Sequence, residues 1–108
     1  MLYELRVYDF VPGKLPALLQ RFENHTLRIW ARHGIRQAGF WTTYIGETHH
    51  RLTYLVAWEG LAERETKWNA FQADPDWIKA RADSEKDGPI LRNVASQILQ
   101  PTAFSSVK

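Results

Sequence analysis

The chain has 108 residues, 44% hydrophobic and 24% charged, which is the balance of a single globular domain rather than a disordered segment. The absence of cysteine excludes a disulfide framework and a thiolate metal site, and a net charge of only +2 argues against a nucleic-acid partner. The longest apolar run, Tyr54 to Trp58, falls far short of the ~20 residues of a membrane span. Met1-Leu2-Tyr3-Glu4 lacks the basic start and apolar run of a secretory leader, so the expected location is the cytoplasm.

Residues 2–10 read as a strand, with Tyr3, Leu5 and Val7 on one face and Glu4, Arg6 and Tyr8 on the other. Pro12-Gly13 turns the chain. From Lys14 to about His33 the spacing is helical, with Leu15, Leu18, Leu19, Phe22, Ile29 and Trp30 sharing one side and Gly34 as the stop. Arg21, Arg28 and Arg32, at spacings of seven and four, read as the solvated outer face of that helix. Phe40 to Ile45 predicts a second strand and Arg51 to Trp58 a third, joined through Glu47-Thr48-His49-His50. Leu61 to Gln72 is helical. Asp74-Pro75 restarts that helix, with Asp74 as N-cap aiming Trp77 and Ile78 at the body, and it continues to about Asp87. Ile90 to Leu99 predicts the fourth strand. Residues 1–101 thus form one domain and 102–108 a polar tail.

The order β-α-β-β-α-β is the ferredoxin-like arrangement of the α+β class, a four-stranded antiparallel sheet with its helices on one face. This topology makes the first strand central. With helices over one face, the row Glu4, Arg6 and Tyr8 is expected on the other, where a second copy would cover it. Two such sheets face to face would make a homodimer, a closed α/β barrel with a partly polar interior.

Leu2-Tyr3-Glu4-Leu5-Arg6-x-Tyr8, Pro12-Gly13-Lys14, His33-Gly34, Gly39-Phe40-Trp41, Arg64, Asp74-Pro75-x-Trp77 and Ile98-Leu99-Gln100-Pro101 together resemble the NIPSNAP domain over about residues 2–101. The resemblance implies a dimeric α/β barrel, the architecture of small cofactor-free oxygenases of the antibiotic-biosynthesis type. It implies no particular reaction. In one departure, Glu47-Thr48-His49-His50 stands where the family usually places an Asn after the glycine of the second strand.

Several residues are candidates for chemistry. Glu4 is a candidate general base, provided burial raises its pKa, with Arg6 as anchor for a polar substrate group and Tyr8 as a hydroxyl at the rim. The alternative is an ion pair that only fixes the fold. His25 and His33 are candidate titrating groups from the helix side, too far apart to share a metal ion, and no metal site is expected. Five tryptophans exceed what one small core needs. Trp41 and Trp68, with Arg64 one turn before Trp68, are therefore candidates to line a pocket. No glycine-rich phosphate loop or nucleophile elbow is present, so no cofactor is expected. Two functions remain open. One is a homodimer whose pocket binds an apolar or aromatic small molecule and transforms it without a cofactor, as a monooxygenase does; the other is a non-catalytic protein-interaction or adaptor module.

Overall fold

The computed structural model describes residues 1–108. Four strands, β1 (Leu2–Phe10), β2 (Arg36–Thr42), β3 (Arg51–Trp58) and β4 (Leu91–Leu99), form one antiparallel sheet in the order β2-β3-β1-β4. Helices α1 (Leu15–Arg21) and α2 (Leu27–His33) follow β1, and α3 (Leu61–Gln72) and α4 (Pro75–Ser84) follow β3. All four lie over the same face. This is the ferredoxin-like α+β fold that the element order predicts. No helix is long and apolar enough to cross a membrane.

The sheet contributes Phe10, Leu52, Tyr54, Val56 and Trp58 to the core, and the helices contribute Leu18, Phe22, Ile29, Trp30, Phe71 and Trp77. Aromatic rings dominate the packing. Phe40 stacks on Tyr54 at 4.7 Å, Phe22 meets Phe40 edge-on at 5.0 Å, and Phe71 lies 4.8 Å from Trp77.

The register overturns the expected orientation of β1. Glu4 pairs with Val56, Arg6 with Tyr54 and Tyr8 with Leu52, and these β3 residues are all buried beneath the helices. Glu4, Arg6 and Tyr8 therefore point at the helices and not at a second copy. The polar row can lie inside because it meets donors and acceptors there, which offsets the cost of burying charge. The opposite face carries Tyr3, Leu5 and Val7 beside Leu55 and Ala57, with Trp41 and Leu99 flanking them.

The first helix is not continuous. A single π turn, Phe22–Thr26, separates α1 from α2, and the Thr26 hydroxyl donates to the Arg21 carbonyl at 3.3 Å. The wider turn changes the phase of everything after it. Trp30 swings into the core, Leu19 is exposed, and Arg21 is buried while Arg28 and Arg32 stay in solvent. Arg21 therefore does not belong to a solvated arginine face. Gly34, at φ 72°, closes α2 in the left-handed conformation, and the Ile35 N–H reaches back to the Trp30 carbonyl at 2.9 Å.

Two boundaries also differ from the sequence pattern. β2 begins at Arg36 and stops at Thr42, because its last partner, Leu52, lies next to the start of β3. Tyr44 and Ile45 fall beyond that partner and are 90% and 87% exposed. A bulge between Gln37 and Phe40 places Gly39 at φ 123°, where a Cβ would come within 2.5 Å of the Trp41 ring. α4 ends at Ser84, short of Asp87, and Ile78 faces solvent while Trp77 is buried. The cap is as expected, since Asp74 Oδ1 accepts the Asp76 N–H at 2.9 Å.

Candidate functional site

Glu4 is fully buried and lies at the centre of a network drawn from three elements. The Arg64 Nε of α3 donates to its Oε1 at 2.7 Å and Arg64 Nη2 to Oε2 at 3.1 Å. The Trp58 indole of β3 donates to Oε1 at 3.1 Å, and Arg6 Nη1 to Oε2 at 3.1 Å. Burial alone would raise the Glu4 carboxyl. The bonds from Arg64 and Trp58 and the charges of Arg6 and Arg64 outweigh that and hold it below its ordinary value. Burial therefore does not raise the Glu4 pKa, the condition for general-base action. The carboxylate instead fixes two guanidinium groups.

Arg6 is held on all sides. Its Nε donates to the Tyr54 hydroxyl at 2.7 Å and its Nη2 approaches the Tyr8 hydroxyl at 3.5 Å. Its guanidinium lies 4.7 Å from the centre of the Trp68 ring. The Tyr54 hydroxyl donates in turn to Tyr8 Oη at 2.8 Å. Burial, and the neighbouring phenol of Tyr8, push the Tyr54 phenol well above its ordinary value. Of the sequence candidates, Glu4, Arg6, Tyr8, Arg64 and Trp68 are thus brought into one cluster.

The other candidates lie elsewhere. His25 is exposed on the π turn and borders a shallow hollow between α1 and α4. His33, at the end of α2, is in hydrogen-bond contact with Asp74 Oδ2 at 2.7 Å. The same oxygen accepts from Arg32 Nη2 at 2.7 Å, so His33 forms part of a clamp that holds α2 to the start of α4. Arg32 and His33 hold the Asp74 carboxyl far below the usual carboxylate range. Trp41 is 52% exposed on the open face of the sheet.

Arg6 and Tyr8 line one wall of a cleft of about 520 Å³. Its other walls are Gln72 at the end of α3, Trp77, Arg81 and Glu85 on and beside α4, Arg21 of α1, and residues 91–94 of β4. The cleft exists because the helices cover β1 and β3 and leave the edge strand β4 uncovered. The volume is in the range of small-molecule sites. Sequence reasoning missed Tyr54, Trp58, Arg21, Trp77, Arg81 and Arg92. For Arg21, the signal was its place three residues after the buried Leu18.

The comparisons with known proteins agree with this architecture. The NIPSNAP family model matches residues 3–106. The chain belongs to the NIPSNAP family. Among solved structures, this NIPSNAP protein is similar to an uncharacterised NIPSNAP domain protein from Burkholderia xenovorans, at 28% identity and a TM-score of 0.84, with 97% of this chain and 98% of that one covered. It is also similar to a NIPSNAP family protein of unknown function from Agrobacterium tumefaciens, at 25% identity and a TM-score of 0.87, covering 100% and 94%. A mutant MhuD with two manganese protoporphyrin IX molecules bound per active site shares the fold at 15% identity and a TM-score of 0.64, with 97% of this chain and 98% of that one covered. A search of curated proteins found no match.

Proposed function

We propose that this NIPSNAP protein is a homodimer in which each protomer binds a small molecule with an apolar or aromatic body in the cleft between β4 and α4. The observation that carries the reading is the rigid presentation of Arg6 and Tyr8 at the cleft wall. Glu4, Tyr54 and Trp68 fix the Arg6 guanidinium before any ligand arrives, so binding would not have to order it. The wall opposite, with Trp77 and Leu91, suits a flat apolar group. A fold neighbour that holds porphyrins in its active site supports the idea that this architecture encloses ligands.

The geometry favours binding over acid–base chemistry. Glu4 is a charged carboxylate with its lone pairs committed, and His33 is tied to Asp74 outside the cleft. Native mass spectrometry of freshly purified protein tests the reading, with a co-purified small molecule expected. Arg6→Lys keeps the charge but loses the planar fork, and should weaken retention of that molecule tenfold or more. Full retention in both Arg6→Lys and Arg6→Met would remove Arg6 from the site.

Dimerisation is proposed through the open face, where Tyr3, Leu5, Val7 and Leu55 form an apolar centre flanked by Trp41 and Leu99. An obligate interface of this kind commonly buries upwards of ~2,000 Å². Sedimentation at micromolar concentration should give twice the 12.6 kDa chain mass, and Leu55→Asp should give the monomer. A stable wild-type monomer would eliminate the barrel. A second reading, the interaction module, draws on Tyr44 and Ile45, which stand together in solvent beyond the end of β2. Two side chains make a smaller case than a cleft with a fixed polar wall.

A further inference from the structure

Two residues of the cleft carry buried donors with no acceptor. Arg21, the last residue of α1, is 5% exposed yet forms no ion pair. Its side chain has one hydrogen-bond partner, Ser84 Oγ at 3.2 Å from Nη1, and its Nε–H meets nothing. The guanidinium lies 5.4 Å from the centre of the Trp77 ring, whose own Nε1–H is buried and unpaired. A third orphan donor, Trp30 Nε1, belongs to the core and not to the cleft.

A buried guanidinium without a carboxylate opposes folding, and burial accordingly pulls Arg21 below its ordinary value, with Tyr8 and Glu85 acting against that from a distance. The surrounding charge does not relieve it. Arg6, Arg81 and Arg92 line the same cleft, and its one acid, Glu85, faces Arg81 at 3.6 Å. Arg6 has already committed each of its three nitrogens to Tyr54, Glu4 and Tyr8. The cleft therefore holds excess positive charge and donors without acceptors. An ordered water would satisfy the donors but leave the charge. An oxyanion does both.

We propose that the cleft is a site for an organic anion, a carboxylate or a phosphate ester on a flat apolar body, whose oxyanion rests on Arg21 beside Trp77 with Arg81 and Arg92 at the mouth. This rests on the small-molecule reading above and moves the anchor from Arg6 to Arg21. Arg6 becomes a positioning residue that holds Tyr8 at the wall.

The test uses the full chain at fixed ionic strength with three probes of similar size: benzoate, phenyl phosphate and uncharged benzyl alcohol. Calorimetry gives affinity, and the Trp77 indole N–H resonance reports the place of binding. At least one anion should bind tenfold or more tighter than benzyl alcohol and move the Trp77 signal; the tighter of the two separates carboxylate from phosphate. Arg21→Met, which keeps bulk and removes charge, should lose that binding tenfold or more while its melting temperature stays level or rises. Arg21→Lys, with charge but no fork, should fall between. Benzyl alcohol binding as tightly as both anions, with the Trp77 signal moving, overturns the anion site and leaves the cleft reading intact. No probe moving that signal overturns both. Undiminished anion binding in Arg21→Met overturns Arg21 as anchor. The ranking of probes on the wild-type chain stands whether or not a variant folds.

Discussion

The helix-covered side of the sheet contains two buried charges that have been treated in opposite ways. Around Glu4, one carboxylate accepts four hydrogen bonds from Arg64, Trp58 and Arg6, and nothing is left over. Around Arg21, some way across the same layer, one guanidinium has a serine hydroxyl and an aromatic face and little else. The first arrangement is complete as folded and acts as structure. The second is incomplete as folded, which a protein tolerates where a molecule from outside completes it. A buried charge thus marks a binding site by what it lacks, and the more conspicuous cluster on β1 is the less available one.

Removing the carboxylate should break this contrast most forcibly. Glu4→Gln keeps the shape and leaves Arg6 and Arg64 unneutralised, and should cost about 3–5 kcal/mol in urea denaturation, the usual loss when one partner of a buried pair is deleted. A loss under 1 kcal/mol would show that the cluster is solvated and not structural. Tyr54→Phe deletes a buried hydroxyl that accepts from Arg6 and donates to Tyr8, and should cost about 1–3 kcal/mol by the same measurement.

Acid sharpens the comparison without mutation. Glu4 and Asp74 have folded pKa values below their unfolded ones, so their stabilisation is fully present above the unfolded values and lost as pH falls through the folded ones. Stability should therefore decline below about pH 4.5. The decline should be shallower in Glu4→Gln, as followed by thermal melts from pH 6 to pH 2. Asp74→Ala removes the cap of α4 together with the contacts to Arg32 and His33, and should lower the melting temperature by less than Tyr54→Phe does. At the other end of the scale, Arg21→Met should leave the melting temperature level or raise it. A fall as large as that of Tyr54→Phe would make the two regions alike.

The sequence pattern made the fold legible because it depends on residues whose preferences are local. The ends of β1 and β3, the Pro75 restart and the Gly34 stop follow from turn chemistry and periodicity alone. The inward orientation of β1 does not, because a row of Glu, Arg and Tyr reads as solvent-facing until Arg64, sixty residues on, is placed against it. Arg64 and Trp68 were legible as a helical pair, but their partner was not. Arg21 was hidden for a different reason. Its grouping with Arg28 and Arg32 assumes an unbroken 3.6-residue repeat, and the π turn breaks that repeat between them. The cleft is an absence of cover over β4, and no residue pattern encodes an absence directly.

The π turn also limits how the gene can change. An α-helix needs one residue fewer to pass the same point, so deleting Asn24 from the turn would let the backbone heal into a continuous helix with its hydrogen bonds intact. Everything from Leu27 onward would then rotate by about 100° relative to α1, and Ile29 and Trp30 would leave the core. Shortening is thus harmless to the helix and ruinous to the packing. Among related genes, insertions and deletions should be absent from codons 22–26 and should collect instead in the connection that carries Tyr44 and Ile45, where the chain is exposed and its length sets no other residue's position.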